Sequence, residues 1–135
     1  MAAVKTIEEL VAWQLSVQLR DLVYTMTGRG KAVTDRKFVE QIRDSSASVP
    51  RNLAEGFGRY YPRENARFVR IAKGSLSESR THLLHGRTEK YWSEDQFDQA
   101  WTLSRRAMGA TVGWLRYLES CDGQIPETPA GPDPT

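Results

Sequence analysis

Three side chains in the second half of the chain have types that can ligate a metal ion. Glu78, His82 and His85 recur at spacings of four and three, which places them on one side of a helix. A helical bundle that binds metal takes ligands from facing helices, commonly as Glu-x-x-His on two of them. Residues 78–81 lack that histidine, and the whole chain has 2 histidines. We therefore predict no metal site and no cofactor, with these side chains in solvent or at an interface.

Polar pairs three residues apart also recur, and these pairs are Asn52 with Glu55 and Ser75 with Glu78. Residues at this spacing are neighbours on a helix surface. One interpretation is a polar site shared between two helices. The other is structural, in which Asn52 and Glu55 satisfy backbone groups freed by Pro50 or hold Arg59, because a buried acid needs a partner.

The chain carries no recognisable catalytic motif. It contains no Gly-x-Ser-x-Gly, no phosphate loop and no Cys/His pair. Ser45, Ser46 and Ser48 have no evident base partner, so we expect them to pack. The sequence therefore predicts a protein that is not an enzyme.

Arginine side chains have the spacing of a phosphate-binding surface. Arg63, Arg67 and Arg70 recur at four and three, and Arg59 and Tyr60 precede them in a loop. A row of guanidinium groups beside aromatic rings can follow a phosphate backbone and stack on bases. The alternative is an exposed arginine face that forms salt bridges with an acidic helix of the same or a neighbouring subunit.

Charge is distributed unevenly along the chain. Residues 36–87 carry eleven Lys/Arg and five Asp/Glu, whereas residues 88–135 carry four and eight, within a net charge of +2. Fourteen of the 19 basic residues are arginine, which favours planar, bidentate contacts to carboxylate or phosphate. The middle of the chain is thus the candidate anion-binding region.

Helical periodicity predicts two helices in the first half of the chain. The first begins at a capping box on Thr6 and continues to Met26, after which residues 27–30 end it with glycine. The second begins near Asp35, and Gly56 and Gly58 mark its end. Pro50 lies within it and should bend or interrupt it.

Two further helices follow. The third runs from about Arg63 to Arg87, and its small residues Gly74 and Ser75 favour close crossing by another helix. The fourth begins at Ser93, with a capping-box glutamine three residues later, and carries a heptad seam of apolar residues. Short connections between four amphipathic helices predict an all-α, antiparallel, up-down-up-down bundle.

One domain over residues 1–121 and a proline-rich, disordered tail over residues 122–135 complete the predicted organisation. The single cysteine, Cys121, cannot form an internal disulfide, and we find no signal segment at the N-terminus. Without a run of about 18 apolar residues, no membrane span is predicted. We expect a cytoplasmic protein.

The first helix carries more apolar surface than one core face requires. One stripe contains Val11, Leu15 and Met26, and is predicted to face the core. The second stripe comprises Leu10, Trp13, Val17 and Tyr24. It predicts either a broad buried face or an interface between copies of the chain.

The segment from Ser48 to Arg59 carries a distinctive run, Ser-Val-Pro-Arg-Asn-Leu-Ala-Glu-Gly-Phe-Gly-Arg. It resembles the Ser-Ile-Pro-x-Asn-Ile-Ala-Glu-Gly-x-Gly-Arg hallmark of the four-helix-bundle family encoded in 23S rRNA intervening sequences. A second run, from Phe68 to Glu78, resembles that family's hallmark on its third helix. The matched positions in the two runs are Ser48, Pro50, Asn52, Glu55, Gly56, Gly58, Gly74, Ser75 and Glu78. The resemblance extends over roughly residues 7–120.

The resemblance implies a left-handed antiparallel bundle that assembles as a homopentamer. A protein related to this family, the accessory variability determinant of diversity-generating retroelements, is a basic pentamer that binds nucleic acid and a reverse transcriptase. We therefore expect a non-catalytic homo-oligomeric adaptor that contacts RNA or DNA, and a reverse transcriptase or another protein, through a basic surface. The alternative is a protein-interaction scaffold with no nucleic-acid role.

Overall fold

The computed structural model describes residues 4–121, which form an all-α fold without strands in that range. The four α-helices of this range are α1 (Val11–Thr27), α2 (Arg36–Phe57), α3 (Pro62–Thr88) and α4 (Glu94–Ser120). Single turns of 3-10 helix precede α1 at Ile7–Glu9 and α2 at Lys31–Thr34. The four predicted helices are thus confirmed, while the prediction of a disordered tail concerns residues outside the described range.

Local capping chemistry explains where three of the helices begin. The Ser93 hydroxyl accepts from the backbone of Gln96, whose side chain accepts from the Ser93 backbone, so the predicted capping box is confirmed. Asp35 caps α2 by accepting from the Phe38 amide. Pro62 occupies the first turn of α3, where its missing N–H costs nothing.

The predicted start of the first helix is wrong. Thr6 makes no side-chain capping bond, and the 3-10 turn after it ends at Leu10, whose backbone is extended. The Leu10 side chain is buried, so the chain leaves the helical path there to bring this residue into the core. Burial of one leucine outweighs a surface cap, and α1 therefore begins at Val11.

Proline does not interrupt α2. The helix is continuous through Pro50, which is itself buried. The turn around it is reinforced because the Asn52 side chain donates to the Ser48 carbonyl oxygen at 2.9 Å. The helix then ends at Gly58, whose right-handed backbone shows that a left-handed glycine cap is absent at this terminus.

Each helix packs against its two neighbours, and α1 closes the ring against α4. Contacts between α2 and α3 pair early residues with late ones, as in Phe38 with His82 and Ser45 with Ser79, so these helices are antiparallel. Arg87 with Glu94 shows the same for α3 and α4. The handedness of the bundle and its oligomeric state stay predictions.

The core contains most of the predicted apolar stripes. It includes Leu15, Leu19, Val23, Met26, Phe38, Ile42, Val49, Leu53, Val69, Leu76, Leu83, Phe97, Leu115 and Leu118. Val11 is the exception, because 55% of it is exposed at the first residue of α1. None of the described helices has the length and apolar content needed to cross a membrane.

Candidate nucleic-acid interface

A row of small polar side chains joins α2 to α3. The hydroxyl oxygens of Ser45 and Ser79 lie 2.8 Å apart, as do those of Ser48 and Ser75. Asn52 extends the row by donating to the Ser48 hydroxyl at 2.9 Å. Each serine hydroxyl of the row therefore has a partner on the opposite helix, and the row fixes the register of the two helices.

Near the C-terminal end of α2, the backbones of α2 and α3 pack closely beside this row. A Cβ at Gly56 would stand 2.7 Å from the Asn65 side-chain oxygen and 2.9 Å from the Asn65 carbonyl oxygen. Only a glycine permits α3 to approach α2 so closely. The family-type positions Ser48 and Gly56 thus act in helix pairing.

The end of α2 leads directly to the basic surface. Arg59 donates to Glu55 at 2.8 Å, which confirms the predicted Glu55–Arg59 pairing. The Arg59 guanidinium also lies 4.8 Å from the centre of the Phe68 ring, and that of Arg67 lies 4.7 Å from the same centre. One half-buried phenylalanine therefore holds two guanidinium groups together. Gly58, directly before Arg59, is exposed.

Arg63, Arg67 and Arg70 are all exposed on α3, and we call these three side chains the arginine ridge. Residues spaced four and three apart share one helix face, so the ridge runs along the helix axis. Tyr60 is half-buried beside it and packs edge-on against Tyr61, with ring centres 5.0 Å apart. The structure thus brings the predicted nucleic-acid candidates to one region.

Beyond the ridge lies a groove between α3 and α4, which we call the α3–α4 groove. It has a volume of about 540 Å³. Its lining residues are Arg70, Lys73, Gly74 and Ser77 from α3, and Val112, Leu115, Arg116 and Glu119 from α4. A Cβ at Gly74 would meet nothing within 4 Å, so no other helix of the described chain crosses there. The close crossing predicted for Gly74 and Ser75 is therefore confirmed at Ser75, which contacts Ser48 of α2, and wrong at Gly74 within one protomer.

The alternative expectation, arginines paired with acids of the fourth helix, is realised at two places. Arg70 and Glu119 form an ion pair at 3.1 Å, and Arg87 and Glu94 form one at 2.8 Å. The hydrogen bond from Arg87 lowers the pKa of the Glu94 carboxyl. These pairs bind α3 to α4 at both ends. Arg67 takes no part in them.

Glu78, His82 and His85 do not converge on a common point. The His82 ring nitrogen lies 3.3 Å from Glu78, whereas that of His85 lies 3.9 Å from Glu89. Both imidazole rings also pack edge-on against Phe38. Within residues 4–121, no group of three or more His, Cys, Asp or Glu side chains could hold a metal ion.

Sequence patterns missed a polar contact near these histidines. The Tyr91 hydroxyl donates to the Asp35 carboxylate, joining the start of α2 to the loop before α4. This bond lowers the pKa of Asp35 and raises the pKa of Tyr91 to about 12. Because the two residues are 56 positions apart, no local pattern could have paired them.

The predicted interface stripe divides in the structure. Leu10 is only 5% exposed and belongs to the protomer core, so it adds little surface of its own to any interface. Trp13 and Val17 are half-buried, and Tyr24 is exposed with the Arg43 guanidinium 4.6 Å from its ring centre. The surface available for self-association on α1 is therefore smaller than predicted.

An apolar groove between α1 and α4, which we call the α1–α4 groove, was not predicted. Its volume is about 460 Å³, and its lining residues are Val4, Glu9, Leu10, Val11, Ala12, Ala110, Gly113 and Trp114. Cβ atoms at Gly109 and Gly113 would meet nothing within 4 Å. Exposed Val11 beside these glycines makes this an accessible apolar surface.

Lys73, Arg116 and Glu119 are the charged groove residues that sequence reasoning did not select. The available signal was Lys73, which continues the spacing of the arginine ridge by three residues. Glu119 gave a second signal, since an acid in the last turn of a helix opposes the helix dipole and needs a compensating cation. Arg116 had no signal of its own, because only the fold brings α4 beside Lys73.

Comparison with known proteins provides one match. The family model for the 23S rRNA-intervening sequence protein matches residues 8–109. That range extends from the 3-10 turn before α1 into the middle of α4, and it includes the whole α2–α3 pairing. None of the curated proteins compared with the chain matches it.

Proposed function

Because the chain belongs to the 23S rRNA-intervening sequence protein family, we propose that it is a non-catalytic adaptor that contacts nucleic acid through a basic surface. The proposal includes self-association, with a homopentamer as the predicted state. The observation that carries it is the arginine ridge, three exposed guanidinium groups along one face of α3. Phosphodiester backbones of RNA and DNA are the shared ligand chemistry.

The composition of the ridge fits a phosphate backbone. Guanidinium groups donate to phosphate oxygens in planar, bidentate geometry. Arg67 is held on the Phe68 ring, so its side chain is already ordered before a ligand binds. Preorganisation of this kind lowers the entropic cost of binding. Repetition of the ridge in an oligomer would multiply a modest affinity.

Self-association draws support from the other side of the molecule. The α1–α4 groove is apolar, and Val11 and Tyr117 expose 55% and 39% of their surfaces on these two helices. Accessible apolar surface of this kind is typical of protein contact sites. A second copy of the chain is the proposed occupant.

A charge-matched comparison tests nucleic-acid binding. The triple variant Arg63→Gln, Arg67→Gln and Arg70→Gln removes the ridge, while Arg51→Gln, Arg105→Gln and Arg106→Gln removes the same charge from other exposed positions. Fluorescence anisotropy with single-stranded RNA and duplex DNA, at several salt concentrations, gives affinity and salt dependence. We expect the ridge variant to lose binding and the control variant to retain most of it.

The salt dependence of the wild type provides a second measure. Each phosphate contact contributes a slope of about −0.7 for a single strand, so three contacts contribute roughly −2. Equal losses in both triple variants would indicate nonspecific attraction to net charge. If wild-type protein binds neither probe, the nucleic-acid role is wrong.

The second candidate function, a protein-interaction scaffold, is favoured by the Arg70–Glu119 pair. This pair shows that carboxylates can occupy the ridge. A scaffold would bind acidic protein at the ridge and would show no RNA or DNA affinity. The same ridge variant, tested for loss of copurifying acidic protein alongside the RNA assay, separates the two.

A further inference from the structure

The α3–α4 groove extends the basic surface in a way that the proposed nucleic-acid role does not itself require. We propose that it is a discrete phosphate-binding subsite for one phosphodiester group of the nucleic acid, and that Glu119 acts as its internal competitor. The inference rests on the proposed function for the source of the phosphate. Lys73 and Arg116 are its permanent cations, and Arg70 is a cation that Glu119 occupies until a ligand binds.

Three cations converge on this groove against one carboxylate. Arg70 and Lys73 line it from α3, and Arg116 lines it from α4. Glu119 pairs with Arg70, whereas neither Lys73 nor Arg116 forms an ion pair with another of the described residues. A concave surface lined by an excess of one charge raises the local concentration of the opposite ion.

The floor of the groove allows a phosphate group to approach the backbone of α3 closely. Gly74 is exposed, and a Cβ there would meet nothing within 4 Å. A glycine in the middle of an exposed helix lowers helix stability relative to alanine, and no contact within the described chain compensates for it. The open backbone between Lys73 and Arg116 leaves room for a phosphate, and the neighbouring Ser77 adds a neutral hydroxyl donor.

Glu119 is positioned to compete with a phosphate for Arg70. It lies in the last turn of α4, where the helix dipole disfavours a negative charge, and that turn contains no basic residue. Its bond to Arg70 therefore offsets an unfavourable position. Both side chains are about half exposed, at 53% and 45%, so the ion pair is weak and can open. A phosphodiester offers Arg70 two anionic oxygens, as the carboxylate does, and replaces it because Lys73 and Arg116 line the same groove.

Continuity with the arginine ridge indicates a nucleic-acid source for the phosphate. Arg63 to Gly74 spans 11 residues of α3, which is about 16 Å along the helix axis. Arg70 belongs to both the ridge and the groove. A polyanion lying on the ridge is thus led into the groove, whereas a free phosphate would gain nothing from the ridge.

The test uses the full chain and a single-stranded RNA in anisotropy titrations. Lys73→Gln with Arg116→Gln removes the permanent cations, Gly74→Glu places an acid on the floor, and Glu119→Gln removes the competitor. The matched control is Lys37→Gln with Arg51→Gln, two exposed cations without ion pairs among the described residues. Circular dichroism confirms that each variant folds.

We expect the cation pair variant and Gly74→Glu each to weaken RNA binding at least tenfold. We expect Glu119→Gln to tighten it about threefold and the control to stay within twofold. The cation pair variant should also reduce the salt slope by about 0.7, the value for one lost phosphate contact on a single strand. The Gly74 amide resonance should shift on RNA addition.

The outcomes separate this inference from the function on which it rests. RNA binding that depends on the arginine ridge but is unchanged in the groove variants would overturn the subsite and leave the function intact. Wild-type protein that binds no RNA would overturn the function. Titration of the Gly74 resonance by inorganic phosphate, with groove variants that leave RNA affinity unchanged, would assign the groove to a free anion and overturn the nucleic-acid source.

Discussion

Gly56 and Gly74 lie in neighbouring helices and have opposite surroundings. Gly56 is buried against Asn65, at a point where the backbones of α2 and α3 nearly touch. Gly74 is exposed above an open groove. Both match the family hallmarks, but only Gly56 has a packing reason within the protomer. No packing contact among the described residues therefore accounts for a helical glycine at position 74.

The two glycines predict opposite effects of the same substitution. Gly56→Ala should lower the free energy of unfolding by about 1–3 kcal/mol, because the new methyl group overpacks a rigid contact. Gly74→Ala should raise it by up to about 1 kcal/mol through helix propensity. Urea denaturation at one protein concentration measures both. Destabilisation by Gly74→Ala would mean that another chain already packs on that position.

At the scale of elements, α2 and α3 are the pair of helices whose packing is defined by the most specific contacts. Facing serines and a close glycine contact fix the register of α2 against α3. Two ion pairs then hold α4 on the other side of α3. The arginine ridge lies on the solvent side of α3, so its geometry depends on this pairing. Small polar side chains let the helices approach closely while each hydroxyl keeps a partner.

Coupling across the helix pair can be measured at Ser45 and Ser79. Ser79→Ala alone should cost about 1 kcal/mol of stability, because it leaves a buried hydroxyl without its cross-helix partner. The double variant Ser45→Ala with Ser79→Ala should cost less than the sum of the single changes, by about 0.5 kcal/mol or more. A double-mutant cycle from chemical denaturation gives the coupling. Strict additivity would show that the two hydroxyls act independently.

At the scale of the whole molecule, two different surfaces face solvent on opposite sides of α4. The α3–α4 groove is basic, and the α1–α4 groove is apolar. In the proposed function, this separation would let copies associate through one surface while the other stays open to a ligand. This division supports the proposed adaptor role, since an oligomer would then present each basic surface outward.

A charge at Val11 tests which surface joins the copies. Val11→Glu should weaken self-association about tenfold or more, because an unpaired buried carboxylate costs more than the roughly 1.4 kcal/mol that equals a factor of ten. The protomer should stay folded, since position 11 is 55% exposed and an acid suits a helix N-terminus. Light scattering after size-exclusion chromatography gives the mass. Gln18→Glu, an exposed change on the same helix, is the control and should leave the mass unchanged.

Periodicity and local chemistry determined which segments are helical and where most of them begin. The Ser93 capping box and the Asp35 cap depend on residues three positions apart, so they could be predicted from the chain alone. The arginine ridge was predictable for the same reason, because its members lie on one helix. Leu10 could not be assigned to the core from the sequence, because its burial depends on how the first turn meets the rest of the core.

Contacts between distant segments were decided only by the tertiary structure. Arg116 and Glu119 become groove residues because α4 packs antiparallel to α3, which brings them beside Arg70 and Lys73. Glu119 pairs with Arg70 across 49 positions of sequence. The same packing leaves Gly74 exposed in the floor of the groove. Helix periodicity states which face of each helix is apolar, but the pairing of polar faces depends on crossing geometry that no local pattern encodes.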